Sequence, residues 1–165
     1  MRKKDKTKMN RVKFLITGSY NSGKTTVMES LIGNIVKVEY NGTTVALDYG
    51  KLKVNSKEVH LFGTPGQERF KFMRDILSKG IDGGVLVVDS TLPITKHDQE
   101  IIREFRSAKI PFVVFANKRD LPDALPLQEF DVGVPVIPTI AKSGENLHKG
   151  IEILLEMRIR GGFRN

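Results

Sequence analysis

GSYNSGKT, residues Gly18 to Thr25, lies between the apolar run Val12–Ile16 and a helical pattern over Gly23–Ile32. It fits G-x-x-x-x-G-K-[ST] in the strand–loop–helix context that a phosphate-binding loop requires. Glycines let the backbone approach phosphate closely, and the N–H groups at a helix N-terminus point at the phosphate oxygens. The stretch therefore predicts a P-loop, and the residues expected to contact the nucleotide are Gly18, Asn21, Ser22, Gly23, Lys24, Thr25 and Thr26.

Two side chains of this loop carry distinct chemistry. Lys24 would neutralise charge on the β- and γ-phosphates and take part in catalysis, and the Thr25 hydroxyl would ligate Mg²⁺. The alternative, a plain glycine-containing turn between strand and helix, does not account for a lysine and a threonine at these positions.

Outward from the loop, apolar runs alternate with helical patterns. Six runs predict strands: Val12–Ile16, Val45–Val54, Val59–Phe62, Gly84–Val88, Phe112–Ala116 and Val134–Ile137. Four stretches predict helices: Gly23–Ile32, Gln67–Lys79, Asp98–Ala108 and Glu145–Ile159. Between them, Asn34–Thr43 is interpreted as a loop, Val45–Val54 as an edge strand and Pro122–Phe130 as a short helix or turn. Continuously apolar inner strands are typical of parallel sheets covered on both faces. The expected fold is α/β, a single-domain P-loop NTPase with a doubly wound, mostly parallel six-stranded sheet and helices on both faces.

Composition sets the limits of this interpretation. The 165 residues suit one domain, and 39% hydrophobic residues allow a packed core. The absence of cysteine excludes disulfides, thiolate metal sites and thiol-linked lipids. No apolar run approaches the roughly 20 residues of a membrane span. We expect a cytoplasmic protein.

Charge is concentrated at the two ends of the chain. Residues 1–13 hold seven of the 27 basic residues and one acid, within a net charge of +8. We expect a basic, disordered segment at 1–10, a folded domain at 11–160 and a short tail at 161–165. The basic start is compatible with contact to RNA or an anionic membrane, but no aromatic residue is interleaved with it to stack on bases. We expect no DNA partner.

A second motif, Asn117-Lys118-Arg119-Asp120, follows the apolar strand Phe112–Ala116. The carboxyl end of such a strand is where ligands bind in open α/β sheets. A carboxylate at Asp120 would accept from N1–H and the 2-amino group of guanine, whereas adenine offers no such pair of donors. Asn117 would brace the neighbouring loops and the Lys118 stem would cover the base. The alternative is an ordinary turn, which the position of the motif in this fold disfavours.

Together these motifs resemble those of small Ras-superfamily GTPases, of the minimal bacterial and archaeal type related to Arf, Rab and MglA-like proteins. The resemblance extends from about Arg11 to Ile159. It implies a molecular switch that binds GTP or GDP with Mg²⁺ and hydrolyses GTP at about 10⁻³ s⁻¹ or below without a partner. It also implies that protein effectors and a GTPase-activating partner bind through residues 34–48 and 63–75.

The resemblance assigns further site residues. Thr44 would sense the γ-phosphate and complete the Mg²⁺ shell, with Thr43 as the weaker alternative. Gly66 would bond the γ-phosphate through its N–H, and Gln67 would orient the attacking water. In the last loop, Ala141 would contact guanine through its N–H and Lys142 would flank the base, although Ile140 stands where relatives have serine.

The chain departs from the family at two positions. Gly63 replaces an aspartate that usually supports Mg²⁺ through a water, and the bulky Tyr20 stands beside the expected γ-phosphate. Asp89 is one candidate for the missing charge, although we favour its capping the turn at Ser90 and Thr91. Asp48 is less favoured, because it is expected on an edge strand. Both departures motivate an alternative function, a nucleotide-binding interaction module that does not hydrolyse GTP.

Overall fold

The computed structural model describes residues 11–40, 46–64 and 70–161, with the backbone alone for residues 70–72. Within these ranges seven strands form one sheet: β1 (Arg11–Gly18), β2 (Val36–Glu39), β3 (Ala46–Val54), β4 (Lys57–Gly63), β5 (Gly83–Asp89), β6 (Phe112–Asn117) and β7 (Val136–Pro138). Their order across the sheet is β2-β3-β4-β1-β5-β6-β7. The predicted basic segment 1–10 and residues 162–165 of the predicted tail lie outside the described residues.

The sheet is parallel except at one end. Strands β4, β1, β5, β6 and β7 run parallel, while β3 pairs antiparallel with both β2 and β4. The apolar sequences of the parallel strands explain their position inside the sheet. Every residue of β6, and all of β5 except Asp89, is buried. Such strands need cover on both faces.

Helices supply that cover. They are α1 (Lys24–Ile32), α2 (Phe70–Leu77), α3 (Lys96–Ser107) and α4 (Leu147–Gly161), with a short 3₁₀ helix at Leu127–Phe130. The side chains of α1 and α4 pack into one buried cluster, through Val27 and Ile151 among others. Those of α2 and α3 pack into a second cluster, through Ile76 and Phe105. Two clusters on opposite faces of one sheet confirm the predicted doubly wound α/β fold. None of the helices described is both long enough and apolar enough to cross a membrane.

The predicted number of strands is wrong. The sheet has seven strands, because β2 lies within Asn34–Thr43, which the sequence suggested was a loop. Residues of β2 are exposed or half-buried, and Val36 is 55% exposed. Val36, Val38 and Tyr40 alternate with polar residues, which is the pattern of a short half-buried strand. Val38 and Tyr40 pack against the core, but the run is short and stands in a polar stretch, which is why the sequence favours a loop here. As a consequence β2 is the edge strand, and β3 lies inside the sheet.

Candidate nucleotide-binding site

The candidate site lies at the point where the order of consecutive strands reverses across the sheet. Strand β1 is flanked by β4 on one side and β5 on the other. In open α/β sheets, the crevice at the carboxyl ends of such strands is where ligands bind. The residues that end or follow these strands are Gly18, Thr64, Asp89 and Asn117. All four belong to segments that the sequence singled out.

Close packing explains the glycines of the P-loop. A Cβ atom on Gly18 would lie 2.3 Å from the Val87 carbonyl oxygen, and one on Gly23 would lie 2.3 Å from Asn117 Nδ2. Gly23 also caps α1 in a left-handed conformation, with φ of 100°. Side chains at these positions would push the loop away from β5 and β6, so glycine keeps the start of α1 at the edge of the sheet.

Lys24 directs its ammonium group back across the loop. The Nζ atom donates to the Gly18 carbonyl at 2.8 Å and to Thr64 Oγ1 at 3.3 Å. Thr64 in turn donates to Thr17 Oγ1 at 3.1 Å. Only 8% of Lys24 is exposed. A largely buried ammonium group attracts anions, and phosphate is such an anion.

Asn117 joins three segments of the site. Its Nδ2 donates to the Ser22 carbonyl at 3.0 Å, and its Oδ1 accepts from Thr139 Oγ1 and from the Ala141 N–H, each at 3.0 Å. The side chain is 2% exposed. It therefore links the P-loop to the loop that follows β7.

The Ala141 N–H has a hydrogen-bond partner within the protein, because it donates to Asn117 Oδ1. The contact to guanine that the resemblance implies stays a prediction. The physical reason for the bond to Asn117 lies in a tight local turn, in which the N–H groups of Ser143, Gly144 and Glu145 all donate to the Ile140 carbonyl. This turn holds Ala141 against Asn117 at the wall of the base cavity.

Lys118 spans the site from β6 to the P-loop. Its Nζ donates to the Asn21 carbonyl at 2.7 Å and to Asp89 Oδ2 at 3.1 Å. The other oxygen of Asp89 accepts from the N–H and hydroxyl of Thr91, at 2.9 and 2.7 Å. Burial raises the pKa of Asp89, but the hydrogen bonds from Thr91 and Lys118 outweigh it and leave the pKa below its ordinary value. Asp89 thus caps its turn, as favoured from the sequence.

Two adjoining cavities meet at Gly23, Thr26 and Lys118. The phosphate cavity, of about 540 Å³, is also lined by Tyr20, Asn21, Lys24, Thr25, Lys37, Asp48 and Thr64. The base cavity, of about 240 Å³, is also lined by Asn117, Asp120, Leu121, Ile140, Ala141 and Lys142. A larger cavity, of about 800 Å³, lies at the amino ends of β5 and β6, and the described residues that line it include none of the predicted site residues.

Three predicted site residues, Thr44, Gly66 and Gln67, lie outside the described residues and stay predictions. The ring of Tyr20 lines the phosphate cavity and is 71% exposed.

One acidic residue lies closer to the phosphate cavity than its expected place on an edge strand implied. Asp48 is paired with Gly63 across β3 and β4, and it lines the phosphate cavity. The prediction that placed it on an edge strand is wrong, because β2 covers that edge. The turn Asn55-Ser56 carried a signal for this pairing. A two-residue hairpin turn pairs Val54 with Lys57. Counting back along both strands from that pair places Asp48 opposite Gly63.

Comparison with known proteins agrees with this geometry. A family model described as 50S ribosome-binding GTPase matches residues 13–118. The uncharacterized protein MJ1339 of Methanocaldococcus jannaschii is 50% identical over 116 residues, which cover 70% of this chain and 75% of that protein. Translation initiation factor IF-2 of Syntrophomonas wolfei is 33% identical over 157 residues, covering 86% of this chain but only 17% of the factor. The chain is thus similar to one part of that much longer protein.

Solved structures share the fold. The G domain of the T. maritima FeoB iron transporter superposes with a TM-score of 0.67 at 24% identity, over 91% of this chain and 98% of that one. A GDP form of the FeoB cytosolic domain gives 0.72 at 23% identity, over 90% of this chain and 63% of that one. At these identities the solved structures show the fold alone. The family model and the similarity to IF-2 indicate a P-loop GTPase and do not single out the Ras, Arf or Rab branches. On the strength of the family model, the chain belongs to the 50S ribosome-binding GTPase family.

Proposed function

We propose that this protein is a guanine-nucleotide-dependent switch that hydrolyses GTP slowly with Mg²⁺. The observation that carries the proposal is Asn117, whose hydrogen bonds join the P-loop to the base cavity. This connection sets a phosphate-binding cavity and a base-sized cavity side by side. A nucleotide laid across Gly23 would fill both.

Guanine recognition is assigned to the base cavity. Asp120 is exposed at its rim, where a carboxylate can accept from two donors on one base edge. Adenine would leave that carboxylate without matching donors, which costs affinity. Lys118 and Lys142 would flank the base with their aliphatic stems.

The donor set of the phosphate cavity fits Mg²⁺. The described residues that line it offer the hydroxyls of Thr25 and Thr64 and the carboxylate of Asp48, and Mg²⁺ prefers such hard oxygen ligands. We assign the metal to Thr25 and Thr44, and a bound Mg²⁺ would neutralise phosphate charge. Lys24 would hold the β- and γ-phosphates, the Gly66 N–H would bind the γ-phosphate, and Gln67 would orient the attacking water.

The proposed switch lies in residues 34–48 and 63–75, which border the phosphate cavity through Lys37, Asp48 and Thr64. The γ-phosphate would order these segments through Thr44 and Gly66, and hydrolysis would release them to change a protein partner's affinity. The exposed Tyr20 ring would restrict the approach of water or of a partner's arginine, so we expect slow intrinsic turnover.

The second candidate is a GTP-binding module without turnover. It is favoured by Gly63, which supplies no carboxylate at the end of β4, and by Tyr20 in the phosphate cavity. Both candidates bind GTP, and they differ in whether the bound GTP is cleaved.

The two candidate functions are distinguished by single-turnover hydrolysis of GTP. The rate is measured for wild type and for Gln67→Ala, each with and without Mg²⁺. We expect phosphate release at about 10⁻³ s⁻¹ or below in wild type, dependent on Mg²⁺ and lost in the variant. GTP that binds but stays intact in both proteins would establish the binding module instead.

Base selectivity is measured in the same preparation. GDP should bind wild type, and ADP should not. Asp120→Asn should shift preference from GDP toward xanthosine diphosphate, because the amide can donate to the carbonyl that replaces the 2-amino group. Equal binding of ADP and GDP by wild type would contradict guanine recognition.

A further inference from the structure

The strand register brings Asp48 beside the glycine that breaks the family pattern. Asp48 and Gly63 are paired across β3 and β4. A Cβ atom built on Gly63 would lie 3.3 Å from Asp48 Cβ, so a side chain at either position projects into the same space. The carboxylate of Asp48 on β3 can therefore lie near the position that an aspartate at position 63 of β4 would occupy.

The space next to Gly63 is filled. The same Cβ atom would lie 2.5 Å from Sδ of Met28, a residue of α1 that is 1% exposed. An aspartate at position 63 would have to displace this thioether from the core. Met28 thus occupies the space that a side chain at position 63 would need, which leaves the charge to a neighbouring strand.

Asp48 lies at the phosphate cavity and carries the carboxylate that Gly63 lacks. Its side chain is 15% exposed and lines the phosphate cavity together with Lys24, Thr25 and Thr64. It is the sole acid among the described residues that line this cavity. Its partner is Lys37 on β2, whose Nζ lies 2.5 Å away and whose side chain is 67% exposed. Because Lys37 is so exposed, its ammonium group can turn to solvent when another cation takes its place.

We propose that Asp48 is the carboxylate of the magnesium site and acts from β3 in place of Gly63. This inference rests on the proposed function. Asp48 is a positioning residue, which orients the water shell of the metal held at Thr25 and the phosphates. In the absence of metal, Lys37 balances its charge, so Lys37 and Mg²⁺ compete for one carboxylate. The simpler interpretation is that Asp48 only forms a cross-strand ion pair, which contributes little at a protein surface.

The test is GDP affinity as a function of Mg²⁺ concentration, measured by calorimetry in wild type, Asp48→Asn, Lys37→Met and Glu58→Gln. Glu58 is a matched control, because it also pairs with a lysine on a neighbouring strand, Lys51 at 3.8 Å, but does not line the phosphate cavity. We expect Asp48→Asn to raise the Mg²⁺ concentration for half-maximal effect about 10–100-fold, with GDP affinity in chelator changed less than about twofold. Lys37→Met should lower that concentration, and Glu58→Gln should leave it unchanged.

A rescue separates a metal role from a structural one. Met28→Ala makes room for Gly63→Asp. The Met28→Ala/Gly63→Asp/Asp48→Asn triple variant should therefore reach its half-maximal effect at a lower Mg²⁺ concentration than the Met28→Ala/Asp48→Asn double variant. Circular dichroism checks that each variant is folded.

The possible results separate the assignment of Asp48 from the proposed function. If wild type binds GDP with Mg²⁺ dependence and Asp48→Asn behaves the same, the assignment of Asp48 is overturned and the proposed function stands. A similar small change in Asp48→Asn and Lys37→Met also overturns it, because a simple ion pair predicts that result. If wild type fails to bind GDP at any Mg²⁺ concentration, the proposed function itself is overturned, and the Asp48 assignment with it.

Discussion

At the scale of single residues, Asn117 shows how one side chain joins distant parts of the site. A primary amide can donate and accept at once, and here it donates to the P-loop while accepting from Thr139 and Ala141. Its burial makes these bonds strong and makes their loss costly, because unpaired polar groups inside a protein lose their hydration without compensation.

We expect Asn117→Ala to lower the free energy of unfolding by about 3 kcal/mol, because the Ser22 carbonyl and the Ala141 N–H each lose the hydrogen bond to Asn117. Thr139→Val is the matched control: it removes one of the three bonds and should cost about 1 kcal/mol. Urea unfolding without nucleotide measures both. Equal losses in the two variants would show that Asn117 does not link the segments energetically.

At the scale of elements, close contact between a strand and a helix sets the position of α3. Gly84 of β5 lies directly under Phe105 of α3, and a Cβ atom there would come within 2.3 Å of the ring. Phe105 cannot easily yield, because it is fully buried and stacks on Phe112 with ring centroids 5.1 Å apart. Glycine at this position lets the helix approach the sheet.

Gly84→Ala should therefore destabilise the fold by about 1–3 kcal/mol through overpacking. Gly161→Ala, at the end of α4, is a suitable control because no atom of the described residues lies within 4 Å of its added Cβ. That variant should stay within about 0.5 kcal/mol of wild type. Chemical denaturation measures both, and a wild-type midpoint for Gly84→Ala would show that α3 can move away from β5 at little cost.

At the scale of the whole molecule, the proposed ligand joins elements from both sides of β1. The two cavities use the P-loop, β3, the end of β4 and the loops after β6 and β7. A nucleotide bound there contacts segments that are far apart in the chain and selects the folded state over the unfolded one. Ligand binding and global stability are then coupled.

GDP with Mg²⁺, at about 100 times its Kd, should stabilise the protein by about 2.7 kcal/mol. For a domain of this size that corresponds to a rise in Tm of about 5–10 °C. ADP at the same concentration should leave Tm unchanged, and differential scanning fluorimetry compares the two. Equal shifts with ADP and GDP would contradict guanine selectivity and favour a general nucleotide site.

Local sequence signals were enough to predict the fold class and the segments that border the two cavities. Continuous apolar runs can be buried only in a sheet covered on both faces, and the P-loop glycines and Asn117-Lys118-Arg119-Asp120 each sit at the end of such a run. These signals are local: periodicity and the steric needs of a turn can be seen in neighbouring residues.

Three features depend on contacts that only the folded chain makes. Strand β2 carries only a short alternation within a polar stretch, and its pairing with β3 is what identifies it as a strand. The Ala141 N–H is directed to Asn117 by a contact between separate loops. Asp48 lies beside Gly63, with Met28 filling the remaining space, because a hairpin register and a helix docking act together. Each depends on contacts between residues distant in sequence, which local periodicity does not encode.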